Sequence, residues 1–429
     1  MKSQKYDLII IGAGISGLTT AYYIKKWSPS TSVLVIEKAP TFGQGNTSKA
    51  EAAFRDLFSD DTHFKMNHSS INFYTHLQEE LKIDLGLKKI GYLFAVERNN
   101  DSLLNRFAEL SKKTSLEILS KSQLDSLGYL KTVPDSEERK LLNLEVIEHG
   151  VLGKNCGVLD QEKLCNYYFS EGVKMGIEYQ FGTQVKNLKM EPENKIGYPG
   201  EPFIWQKKKI TCAETNRGDF YAKDFFLATD VWTGTLLDPL GIDSYTRPRK
   251  RQVFELSGKE LSDVIKKKGF NEFGTIPLTV LPHSVYFRPS PSFNSIWVSV
   301  GDEYMRNFDL EDNPLPEQEF FTSNIYPVVS SYLPQAKNST IKSSWAGYIS
   351  LSTIDRMPFI YRNLNVYVII GTSGAGITKG DADGRVAASL YIGKETAELY
   401  GGAKVDVGAF GNYSRKMGRE EIGLSELHL

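Results

Sequence analysis

The sequence predicts a mixed α/β protein: a parallel-sheet unit opens the chain, and a second α+β region on a mixed or antiparallel sheet accompanies it. Three observations carry this. Tyr6 to Ile11 is an apolar run followed by glycines, a helical pattern to about Trp27, and a second apolar run from Val33 to Ile36. That is a β-α-β unit within about 30 residues. Near the other end, the apolar run Val366 to Ile370 meets a glycine-rich turn and a helical stretch to about Gly393. Between them, residues 249–257, 284–288 and 295–300 alternate as half-buried antiparallel strands do.

The remaining elements follow in order. Helical periodicity spans 62–81, and 90–96 reads as a strand. The charged segment 97–145 reads as helical and irregular. Residues 160–175 form an amphipathic helix stopped by Gly176. Strand-like runs follow at 177–181, 183–190, 203–212 and 220–228, with the Pro- and Gly-rich loop 191–202 as a hairpin excursion. Residues 318–332 read as helix, and the chain after Gly411 is polar.

Composition removes several function classes. With 51 basic and 52 acidic side chains among 429 residues, no basic nucleic-acid surface is expected. Cys156, Cys165 and Cys212 are odd in number and lack metal spacing, so the chain reads as one kept in a reducing compartment. The six histidines show no ligand spacing, and no metal is expected. The longest apolar stretch, Leu8 to Ile24, is broken by three glycines and preceded by Asp7, which argues against a signal peptide. No other run reaches the roughly 20 residues of a spanning helix. A cytoplasmic protein is expected, with peripheral membrane contact left open.

Gly12, Gly14 and Gly17, with Ala13, Ile15 and Ser16 between them, stand where a strand turns into a helix. The first glycine allows the tight turn, the second close approach of a pyrophosphate, and the third close helix–strand packing. Glu37, followed by Lys38, ends the second strand, where a carboxylate accepts from ribose hydroxyls and disfavours a 2′-phosphate. The ligand is then FAD or NAD. The later turn, with Gly374, Gly376, Ile377 and Thr378, aims a second helix start at the same ligand. The bland alternative is an ordinary βα turn. Beside the first it favours FAD, since a helix N-terminus stabilises the anion of reduced flavin.

These motifs, in this order, resemble the D-amino-acid-oxidase superfamily of FAD oxidoreductases. Gly45-Asn-Thr47-Ser48-Lys49 is similar to its flavin-crossing loop, and Gly157 to Asp160 to its entry into a helix. Val185 lies on a strand whose backbone meets the adenine in that family, and Phe226-Leu-Ala228-Thr229 through Trp232 is similar to its "A-T-G-A-W" turn. Arg249 to Phe254, Tyr286 to Pro289, and Trp345-Ala-Gly347-Tyr348 through Asp355 and Pro358 resemble later family segments. The resemblance implies a discontinuous Rossmann-type FAD-binding domain from 1–85, 146–232 and 335–415. It implies a substrate domain from 86–145 and 233–334, and a tail at 416–429. The FAD should be noncovalent, because no histidine lies in 43–50 and no cysteine in 345–355, where relatives tether it.

The resemblance also implies the chemistry: hydride leaves the carbon bearing an amine for flavin N5, giving an imine. Glycine-oxidase-like members carry an arginine where this chain has Ile349. Sarcosine-oxidase-like members carry one about ten residues after the loop glycine, which lands on Arg55; the bland alternative is a surface pair with Asp56 or Asp60. Arg55 is therefore the expected carboxylate clamp, Tyr348 a cavity-lining phenol, and Lys379 a cation facing the flavin. Lys49 and Glu51 lie in the crossing loop. Ser299 stands where the oxygen-reactive branch has lysine, which favours a dehydrogenase serving a quinone, dye or partner flavoprotein. No side-chain base is evident. The expected substrate is a small, secondary amino acid such as L-proline or sarcosine. A glycerol-3-phosphate or 2-hydroxy-acid oxidoreductase, and a noncatalytic FAD-bearing subunit of a larger assembly, are the alternatives.

Overall fold

The computed structural model describes residues 5–98, 100–301, 308–411 and 415. The expected tail at 416–429 lies outside the described residues. Two eight-stranded sheets organise the chain.

In the first sheet, β1 (Lys5–Ile11) sits between β2 (Val33–Ile36) and the strand Gly218–Leu227, all parallel. Val366–Ile370 extends the parallel set on one side and Glu178–Gln180 on the other, with Phe359–Asn363 as an antiparallel edge. Every residue of β2 and of Val366–Ile370 is buried. Such strands lie between two covered faces, which is why they read as continuous apolar runs rather than alternating ones. The hairpin Val185–Pro192 and Lys208–Thr215 extends from the same sheet, and its loop is the excursion expected at 191–202.

Helix α1 (Ile15–Trp27) covers this sheet together with the C-terminal helix Gly376–Tyr391. The two approach closely because glycines face α1. A Cβ on Gly384 would lie 2.6 Å from Thr19 Cβ, and one on Gly380 would lie 2.8 Å from Ile15 Cγ1. Between these helices and Gln161–Lys174, the Asp381 carboxylate accepts from the hydroxyls of Tyr23 and Tyr168 and pairs with Arg385.

The second sheet runs Thr340–Ser352, Thr246–Ser257, Ile296–Val300, Val285–Pro289, Leu278–Val280, Tyr92–Glu97, Ile147–Gly153, Leu116–Ser120. All neighbours are antiparallel except Leu278–Val280 with Tyr92–Glu97. Its longest pairing aligns Arg251 with Gly347 and Lys250 with Tyr348. The 97–145 segment holds three helices as expected, and also the strand Leu116–Ser120. The expected helix over 318–332 has a π turn at Phe321–Ile325, just ahead of Pro327, which has no N–H for a helical bond.

Candidate functional site

A cavity of about 250 Å3 runs along the carboxyl ends of the parallel strands. Both flanking helices begin on it, and neither has a side-chain cap: Gly14 precedes α1 and Ala375 precedes the C-terminal helix. Their orphan N–H groups and positive dipole ends therefore converge on one space. Gly12 has φ +104°, and a Cβ there would lie 2.4 Å from Ala228 O. A Cβ on Gly17 would meet Gly12 O at 1.9 Å. On Gly14 it would meet only Thr47 Oγ1, at 3.1 Å. The loop is thus closed behind and open toward the cavity.

Glu37 braces this loop. One carboxylate oxygen accepts from Ala13 N at 2.8 Å and the other from Ala39 N at 2.9 Å. Beside it, the Lys38 ammonium lies 4.2 Å from the Trp232 ring centre and pairs with Asp312. The second glycine turn is pinned to the long strand of the other sheet. Ser350 Oγ accepts from Gly371 N, and Ser350 O from Ser373 N. Positive φ at Gly371, Ser373 and Gly374 turns the chain sharply into the helix.

The loop 43–50 crosses between the two sheets. Asn46 Nδ2 donates to Asp230 at 2.7 Å, and Asn46 Oδ1 accepts from Tyr348 N at 2.9 Å. Trp345 Nε1 donates to Lys49 O at 3.0 Å. On the far side of this loop lies a second cavity of about 130 Å3. It adjoins the first along Asn46, Ala50, Tyr348, Ile349, Gly374 and Ile377.

The ionisable lining of the second cavity is Lys49, Glu51, Arg55, Arg251, Tyr92, Tyr286 and Tyr348. Arg55 is only 4 % exposed, and its guanidinium lies 4.7 Å from the Phe58 ring centre. Burial lowers its pKa. The surface-pair alternative does not hold. The Asp56 carboxylate accepts instead from Thr114 and Asn155 and contacts His68 at 2.8 Å. Burial pushes Glu51 up to about 7, against the opposing pull of Arg288.

An elongated cavity with two converging helix starts, a glycine cradle and a braced acid fits a dinucleotide with its pyrophosphate at the turn. The model of the FAD dependent oxidoreductase (DAO) family matches residues 7–390. The chain belongs to that family. It is 20% identical over 429 residues to the FAD-dependent oxidoreductase domain-containing protein 1 of Xenopus laevis, covering 91% of this chain and 79% of that one. It is 22% identical over 412 residues to a monomeric sarcosine oxidase of Bacillus sp. (strain B-0618), covering 92% and 94%. The crystal structure of L-proline dehydrogenase from P. horikoshii superposes with a TM-score of 0.73 at 22% identity, covering 95% and 97%. That likeness establishes a shared fold.

For a DAO-family FAD oxidoreductase the expected residues fall in four groups. Gly12, Gly14, Ile15, Ser16, Glu37, Lys38, Thr47, Val185, Ala228, Thr229, Trp232, Gly374, Gly376 and Ile377 line the first cavity. Lys49, Arg55 and Thr378 line the second, and Tyr348, Gly374 and Ile377 line both. Gly17 and Ser48 line neither. Gly17 permits the packing described above, and Ser48 Oγ donates to Gly45 O at 2.9 Å within its own turn.

Lys379 is the clearest departure. It lines neither cavity, because the helix carries it inward. There, burial lowers its pKa while Asp383, one turn on, opposes that shift and is itself raised by burial. Thr378 takes the cavity position instead. The Tyr348 hydroxyl also departs from expectation: it donates to Asp309 O at 2.8 Å and accepts from Glu311 N at 3.0 Å, so its ring, not its phenol, faces the cavities. Ser299 is buried in the sheet, donates to Gln252 O at 2.7 Å and lines neither cavity.

Arg251 was the missed cation. Strand alternation splits residues 247–251 between two faces, and Arg251 shares its face with Val253, which also lines the cavity. Lys250, on the other face, pairs with Glu317. The alternation was visible in the sequence; which face meets the cavity depends on the partner strand.

Among the described residues, no helix is long and apolar enough to cross a membrane, and no group of three or more His, Cys, Asp or Glu is placed to hold a metal ion. The three cysteines are buried and unpaired.

Proposed function

We propose that this FAD oxidoreductase oxidises a small amino acid, with a secondary amine such as L-proline or sarcosine as the favoured class. The observation that carries the proposal is the second cavity. It is small, it adjoins the cofactor cleft, and it sets two arginines, Lys49 and one glutamate among aromatic, aliphatic and small polar residues. A zwitterion needs that charge pattern. Arg55 holds the carboxylate, for which a guanidinium fork is suited. Arg251 adds positive potential from the opposite sheet. Tyr92, Phe58 and Tyr286 exclude water from the reacting carbon. FAD, when bound, supplies the hydride acceptor. The family, and relatives named for sarcosine and for L-proline, support the same class.

A glycerol-3-phosphate or 2-hydroxy-acid substrate fits less well, because Glu51 would oppose a phosphate and has no cation to receive from a hydroxy acid. A noncatalytic FAD-bearing subunit gives no reason for so charged a cavity. We further propose a non-oxygen acceptor (a dye, a quinone or a partner flavoprotein) and a cytoplasmic location. The exposed Ile196, Tyr198, Ile204 and Trp205 of the first-sheet hairpin are the surface for any peripheral membrane contact. We propose the expected division into FAD-binding and substrate domains with one change: Ile147–Gly153 and Thr340–Ser352 go with the substrate domain, since both pair in its sheet.

The test is anaerobic mixing of the yellow protein with proline, sarcosine, glycine, D-amino acids, lactate and glycerol 3-phosphate. Bleaching by a secondary amino acid is the expected result. Bleaching only by lactate or glycerol 3-phosphate overturns the proposal. Parallel assays with oxygen and with a dye decide the acceptor.

A further inference from the structure

Glu51 is a carboxylate in the substrate cavity that no part of the scheme above uses. It follows the flavin-crossing loop and lies two residues before the short strand Ala53–Phe54, which pairs with Gly157–Val158. That pairing fixes its backbone. So does Arg288, whose guanidinium donates to Glu51 O and to Pro289 O, and lies 4.3 Å from the Trp297 ring centre. Arg288 thus holds the residue's main chain through one N–H group, gives another to Pro289 O, and its charge still pulls on the Glu51 carboxyl. The Glu51 side chain lines the cavity; Tyr286 hydrogen-bonds its carboxyl, while Oε1 is shielded from solvent and meets no donor. A buried acceptor without a donor is costly, and here the missing donor has a place to sit.

The groups around it define what that donor is. Tyr286 and Arg288 face Glu51 from one strand, Tyr92 from the parallel pair beyond, Arg251 from the long strand, and Lys49 and Arg55 from its own segment. The cations suit the substrate carboxylate, and among the described residues Glu51 is the one acid that lines this cavity. An amino acid arrives mostly as the ammonium form, and hydride can leave its carbon only when the nitrogen lone pair is free. On the proposed amino-acid oxidation, we infer that Glu51 takes one proton from the bound substrate ammonium, leaving a neutral amine beside the flavin and a protonated Glu51 carboxyl.

One N–H bond breaks and one O–H bond forms, with no change in oxidation state. The proton later returns to water. Burial, which pushes Glu51 up to about 7, keeps it basic enough to take the proton and weak enough to release it. Burial lowers the neighbouring Arg288 to about 10, so it stays cationic near neutral pH.

The experiment compares the wild type with Glu51→Gln and Glu51→Asp, each carrying FAD, over pH 6 to 10. Two readouts are taken: the anaerobic rate of flavin bleaching by the amino acid that reduces the wild type, and the flavin difference spectrum on binding that acid's amine-free carboxylate analogue. The wild-type rate should be flat above about pH 7. In Glu51→Gln it should fall about tenfold for each unit below the amine's own pKa, since only free amine from solution reacts. Glu51→Asp should restore the wild-type shape at a lower rate, and all three should bind the analogue with similar affinity. A Glu51→Gln profile that follows the wild type overturns the inference and leaves the proposed function standing. So does loss of analogue binding in Glu51→Gln, which would mark a structural role. If no amino acid bleaches the wild type at any pH, the proposed function falls and this inference with it.

Discussion

The cofactor cleft takes its walls from backbone: glycine turns, uncapped helix starts and strand ends that lie within short stretches of sequence. The second cavity takes its walls from side chains brought together from residues 49–58, 92, 251–253, 286 and 347–378. The first kind of site tolerates almost no added atom at its turns and tolerates exchange elsewhere. The second kind tolerates shape changes but not loss of charge. The contrast explains why one chain can hold a common cofactor and still select its own substrate.

The contrast can be broken most severely at Gly12. Gly12→Val places a branched side chain at φ +104° and against Ala228 O. Strain of about 1–3 kcal/mol or more should weaken FAD binding by roughly tenfold to over a hundredfold. The check is flavin content after purification and titration of the apoprotein with FAD; full yellow colour would show that the turn is not the cradle. Next comes Arg55→Met, which should leave FAD content intact and lower kcat/KM by about a hundredfold through loss of a charge-assisted pair. Steady-state kinetics on the bleaching amino acid checks it. Arg251→Met should act in the same direction by about tenfold, since that cation sits across the cavity and need only add potential. Equal losses for the two would mean that both clamp the substrate.

The smallest effect should come from a residue outside both cavities. Burial raises Asp383 above its ordinary value of 3.8, against the pull of Lys379. A raised carboxyl contributes stability fully present below its unfolded pKa and lost as pH rises through its folded one. The melting temperature should therefore decline as pH rises above about 4, and Asp383→Asn should flatten that decline without changing kcat/KM. An unchanged slope in Asp383→Asn would place the titrating group elsewhere.

Local chemistry decided what could be read in advance. Turn, helix and strand at 6–37 and 366–393 are encoded by neighbouring residues, so both glycine turns and the braced acid were legible. The long strand Thr340–Ser352 was seen only as a motif, because its alternation is blurred where it passes from the second sheet to the flavin-side turn. Lys379 was misplaced by a single position: on a helix, one residue turns a side chain by about 100°, and Thr378 faces the cavity while Lys379 faces the interior. Arg251 was ambiguous between two faces of a strand. Glu51 lies on no periodic element, and only the fold shows that it meets Tyr92 and Tyr286.

The interlock of Gly380 and Gly384 with Ile15 and Thr19 has a further consequence. Neither helix can slide along the other without a collision, so the N–H groups that open α1 and those that open Gly376–Tyr391 keep one spacing whatever charge lies between them. Electrons can arrive and depart while the surrounding dipoles stay put, which lowers the reorganisation energy of each transfer. Larger residues at those two glycines would loosen that frame and slow transfer in both directions, even in a protein that still holds its FAD.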